Sequence, residues 1–221
     1  MRARPCIRRR PRGFTLIELL VAVGLMALMA ALSWRGLDGM MRAQTQMRQH
    51  SDDVLALQAG LGQWGVDLDA LAQQPNVASV DWDGRALRIL RRGTEPAAGL
   101  VVVAWSRRVV EGSGRWLRWQ SPPLQTRADL ELAWLRAAQW AQSPAADDAQ
   151  REVGIATIDQ WQIYFCRKDA WSNPLSSAEA AGDGKVDLPE GIRLVLTLSD
   201  GQALSGTLTR DWLRPDVGVA K

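Results

Sequence analysis

The chain has 221 residues, with 27 Lys and Arg against 24 Asp and Glu, one His and two Cys, for a formal charge of +3. Six of the basic residues, Arg2, Arg4, Arg8, Arg9, Arg10 and Arg12, precede residue 13, so the remaining 21 face 24 acids and the rest of the chain is mildly acidic. A basic balance confined to one terminus argues against nucleic-acid binding, and with Cys6 inside that terminus, Cys166 alone excludes an internal disulfide in the remainder.

Phe14 opens an apolar run of 21 residues that ends at Trp34, interrupted only by the polar residues Thr15, Glu18 and Ser33. As a helix it is long enough to cross roughly 30 Å of hydrocarbon. The arginines ahead of it hold that end in the cytoplasm and place the remaining chain beyond the membrane. A secretory signal has a shorter apolar core, although Ala31-Leu32-Ser33 resembles an imperfect cleavage site. A plain anchor leaves Glu18 unexplained, because an ionisable residue in a span normally has a partner and the run contains no Lys or Arg.

A basic leader ending in Gly13, then Phe14-Thr15-Leu16-Ile17-Glu18 and a long apolar helix, resembles the class III signal of type IV pilins and type II secretion pseudopilins. The resemblance implies that a prepilin peptidase cuts between Gly13 and Phe14 and methylates the new amine of Phe14. It implies that Glu18 then pairs with a Phe14 amine of its own or a neighbouring subunit. It also implies a pilin-like α+β fold, a long N-terminal helix with its first half in the membrane packed on a mostly antiparallel sheet. The expected divisions are a removed leader (1–13), a membrane or filament-core helix (14–34), its amphipathic continuation (35–74), a periplasmic β-rich domain (75–214) and a frayed end (215–221).

Beyond the span, Met40, Met47, Val54, Leu61 and Leu68, each followed three places later by Ala43, His50, Leu57, Trp64 or Leu71, form one helical face. This helix should stop before Pro75, about 90 Å from Phe14 if it is continuous. With Gly60, Gly62 and Gly65 beside the stripe, packing on the protein's own sheet fits better than a coiled coil. The glycines mark either close helix-to-sheet approach or weak helix. His50, without a companion ligand, reads as structural.

Period 2 then takes over. Val80 and Trp82 lead through Asp83-Gly84 to Leu87 and Ile89, and a strand over 100–110 turns at Glu111 to Gly114 into Trp116–Trp119. Residues 130–141 fit a short helix or a strand, and 143–150 a surface loop. Strands are expected over 153–158 and 161–167. Residues 172–191 are aperiodic, and Ile192 to Leu198 pairs through Asp200-Gly201 with Leu204 to Leu208. Cys166 reads as a buried apolar side chain, and the strand tryptophans mostly as core, with some at interfaces.

The 179–190 loop partly matches a calcium loop, but Ala181 stands at a ligand position and Glu179 replaces the first Asp, so an ordinary turn is expected and no metal site is assigned. No nucleophile elbow, P-loop, dinucleotide fingerprint or paired His or Cys is present, and neither a cofactor nor catalysis is expected. Trp34-Arg35-Gly36-Leu37-Asp38, Trp161-Gln162-Ile163-Tyr164 and Leu188-Pro189-Glu190-Gly191-Ile192-Arg193-Leu194 resemble the J-type minor pseudopilin. That resemblance implies a place near a filament tip in the periplasm. Its implied partners are the I, K and H types, the major pseudopilin, the peptidase and the inner-membrane assembly platform. The alternatives are a minor pilin of a type IV pilus or DNA-uptake filament and, in another class, a membrane-anchored periplasmic enzyme.

Overall fold

The computed structural model describes residues 13–75, 77–94, 99–176 and 188–215. The chain divides into two units at Gln49 and His50, and helix α1 (Leu16–Asp69) contributes to both. In the first unit the described chain is this helix and the short extended entry to it. The helix is long and apolar enough to cross a membrane by length and composition.

The second unit places the remaining α1 segment and helix α2 (Arg127–Gln142) against one antiparallel sheet. Its strands are β1 (Val80–Trp82), β2 (Ala86–Arg92), β3 (Leu100–Val110), β4 (Ser113–Gln120), β5 (Glu152–Arg167), β6 (Ala170–Ser172), β7 (Gly191–Leu198) and β8 (Gly206–Leu213). The order is β1-β2-β3-β4-β5-β7-β8, with β6 also on β5. The two strands expected over 153–158 and 161–167 are one strand, irregular between Ile158 and Gln160. Its first half pairs with β4 and its second half with β7.

Two apolar clusters explain the burial patterns. On one face Leu57, Trp64 and Leu68 of α1 pack with Leu87, Ile89, Val103, Trp105, Trp116, Ile163, Leu194 and Leu196. On the other, Leu130, Ala133, Ala137 and Trp140 of α2 pack with Leu90, Val102, Ala104, Leu117 and Trp119. Strand β3, covered on both faces, is buried continuously from Val101 to Ser106, whereas β7 alternates as a strand with one covered face does. The β3–β4 turn is two residues long, with Glu111 at φ 50° and Gly112 at φ 79°. That conformation matches the twist of the flanking strands, and glycine adopts it without a Cβ clash.

The α1 stripe differs from its expected extent. Met40 and Met47 are exposed, and the buried positions are Leu57, Gly60, Trp64, Asp67 and Leu68, so the packed face starts later and contains an acid. Gly60 marks a close approach, because a Cβ there would collide with Ile155, while Gly62 and Gly65 have open space. The segment left between helix and strand is α2. Thr126 caps it, accepting from the Asp129 amide at 3.1 Å while Asp129 accepts from the Thr126 amide at 2.8 Å. Within the expected loop 143–150, Ala146–Gln150 forms a 3-10 turn and Asp148 is buried.

Seven of the tryptophans form three groups, one of them Trp82 edge to face with Trp161 at 4.9 Å. Trp64 and Trp105 meet edge to face at 5.5 Å, with Trp116 4.6 Å from Trp105; on the other face Trp119 stacks on Trp140 at 6.2 Å. Each ring removes a large apolar area from water, and the offset geometries suit the aromatic quadrupoles.

Candidate functional site

Helix α1 begins with Thr15-Leu16-Ile17-Glu18, a Ser/Thr-x-x-Glu pattern. The Thr15 amide and hydroxyl both donate to Glu18 Oε2, at 3.0 and 2.9 Å, and the Glu18 amide lies 3.4 Å from the Thr15 hydroxyl. This is a capping box, in which the acid satisfies a backbone donor that the helix leaves orphaned. A carboxylate is also favoured near the positive end of the helix dipole. The sequence accounted for Glu18 only by a missing amine; the structure gives it a local partner as well.

Gly13 and Phe14 precede the helix and are exposed, Phe14 at 86%. Downstream, Leu16, Ile17, Leu20, Met26, Met29 and Leu32 are all more than half exposed. A contiguous apolar surface of this extent is a membrane or partner surface. Trp34, at the end of the span, is exposed, and an Arg42–Asp38 ion pair lies one turn beyond it. The apolar amino-terminal helix thus fits a membrane anchor.

His50 is exposed on the helix, and Cys166 is buried, with its thiol pushed up by burial and then by Glu190. Asp52 and Asp53 are exposed. Asp148 accepts from the indole of Trp119 at 3.2 Å and from Arg136 at 2.9 Å. Among the described residues no three His, Cys, Asp or Glu side chains gather as metal ligands. Residues 177–187, which hold most of the calcium-like loop, lie outside the described residues, as do the leader 1–12 and the end 216–221.

Residues 8–34 match the family described as Prokaryotic N-terminal methylation motif. No curated protein matches the chain significantly. Among solved structures the chain is similar to one in the GspK-GspI-GspJ complex of the type 2 secretion system of enterotoxigenic Escherichia coli. That likeness has 17% identity over 73% of this chain and 96% of that one, at a TM-score of 0.41. The chain therefore carries a prokaryotic N-terminal methylation motif at the head of a long amino-terminal helix that an antiparallel sheet follows.

Proposed function

We propose that the protein is a minor pseudopilin of a type II secretion system, most like the J type. In this role it helps initiate or cap the periplasmic pseudopilus that drives protein export, as a structural subunit without catalysis. The observation that carries the reading is the register of Gly13, Phe14 and Glu18 inside the matched segment 8–34, at the start of an exposed apolar helix. On this reading prepilin peptidase hydrolyses the Gly13–Phe14 bond and methylates the freed amine. The capping box already turns the Glu18 carboxylate back to the Thr15 amide, one peptide from that amine. A cation and an anion that enter a low-dielectric environment together cost far less than either alone. Apolar helices of neighbouring subunits then cover one another as they leave the bilayer.

The arginines of the leader hold the amino terminus in the cytoplasm, and the domain lies in the periplasm. The implied partners are the I, K and H minor pseudopilins, the major pseudopilin and the inner-membrane assembly platform. Substitution Gly13→Ala tests the reading: unprocessed precursor should accumulate and be visible as a slower band on a gel. Normal processing of that variant would contradict it.

A further inference from the structure

The apolar run at the head of α1 ends at Trp34, and the charged residues that follow differ in whether the protein supplies them with partners. Leu16 to Trp34 is about 27 Å of helix at about 1.5 Å per residue. With the extended residues ahead of Leu16, the run matches the roughly 30 Å of a hydrocarbon core. Trp34 is 71% exposed, and Arg35 beside it is exposed too. A headgroup layer is about 5–7 Å deep on each side of the core. Arg35 and Asp38, within about 6 Å of Trp34 along the axis, are the charged residues that fall inside it.

Asp38 is matched within the helix, because Arg42, one turn further on, reaches back to it at 2.9 and 3.0 Å. Arg35 has no such acid: among the described residues neither its guanidinium nor the Trp34 indole has an acceptor. The helix face beside Arg35 is open, since a Cβ at Gly39, one turn on, would meet nothing within 4 Å. The apolar body and polar edge of an indole suit a membrane boundary. A guanidinium fork takes phosphate oxygens in pairs, where an ammonium would act as a point charge. Depth selects the occupant. The uncompensated cation stands one residue past a run as long as hydrocarbon is thick, the level at which lipid phosphates are the abundant anion. Arg48, about 21 Å beyond Trp34 along the axis, lies outside that level.

We propose that Arg35 binds the phosphate of a membrane phospholipid at the boundary where Trp34 lies, and so fixes the depth of α1 in the bilayer. The proposal rests on the reading of α1 as a membrane anchor. The experiment places a photo-crosslinking amino acid at Gly39 of the full chain, where a side chain leans back toward residue 35. The vesicles hold equal amounts of phosphatidylcholine and digalactosyldiacylglycerol, both without net charge and only the first with a phosphate. Mass analysis of the captured lipid should show phosphatidylcholine in about fivefold excess or more. Arg35→Gln should bring the two lipids to near-equal capture, and Arg48→Gln should leave the excess in place. Near-equal capture in the parent, an excess that survives Arg35→Gln, an equal loss in Arg48→Gln, or capture of protein in place of lipid would overturn the proposal. The same probe at Leu25 separates the two readings. Lipid captured at Leu25 with no preference at Gly39 would remove the phosphate site and leave the anchor standing, whereas no lipid at Leu25 would overturn both.

Discussion

Asp67 is fully buried and accepts five hydrogen bonds from four side chains. Gln63 and Arg91 donate to Oδ1, the Trp105 indole to Oδ2 at 2.9 Å, and Arg118 to both oxygens at 2.7 and 2.8 Å. One carboxylate thereby fixes the last turn of α1 to β2, β3 and β4. Its removal leaves the buried Arg91 and the part-buried Arg118 guanidinium groups without a counter-charge, so Asp67→Ala should cost about 3–5 kcal/mol, whereas exposed Asp53→Ala should stay within about 0.5 kcal/mol. Urea unfolding of the two variants checks this, and equal midpoints would contradict it. The sequence concealed this hub, because an acid in an amphipathic pattern reads as solvated and its sheet partners lie 24 to 51 residues away. Glu18, by contrast, was legible because its register with Gly13 and Phe14 is contained in six consecutive residues.

The elements became legible where one face is covered and one is not. Strand β7 announced itself by alternation, whereas its partner β8 starts at Gly206 rather than Leu204 and runs on to Leu213, because the connection takes up 199–205 and not Asp200-Gly201 alone; β6, three residues long, has no period to read. Helix α2 left its evidence in Thr126-x-x-Asp129 rather than in its apolar spacing, which leucines and alanines made ambiguous. On α1 the glycines separate by surroundings. Gly60→Ala should destabilise by about 1–3 kcal/mol through the Ile155 collision. Gly62→Ala, in open space, should be neutral or stabilise by up to about 1 kcal/mol. Unfolding midpoints that move in the same direction would refute the distinction.

The β7–β8 pair carries a pH dependence of known sign. Arg193 donates to both Asp211 oxygens at 2.7 Å, and this holds the Asp211 carboxyl below its ordinary value. A depressed folded value means that the contribution is complete above the unfolded-chain value of about 3.9 and fades as pH falls through the folded value. Arg193→Gln should therefore flatten the acid limb of stability below about pH 4 and leave the rest of the profile in place. An unchanged acid limb would count against the pair.

At the scale of the whole molecule, the charge balance and the apolar run already divide the chain by environment, a basic head, an apolar span and a mildly acidic domain. What composition could not convey is that α2 and α1 cover opposite faces of the sheet, since that depends on pairings between distant strands. The proposed pairing needs a working protein that begins at Phe14, because only then does Phe14 carry a free amine to meet Glu18. Mass analysis of the amino-terminal peptide from membranes of producing cells tests this directly. The first residue should be N-methylphenylalanine derived from Phe14; a functional protein that still begins at Met1 would contradict the proposed pairing.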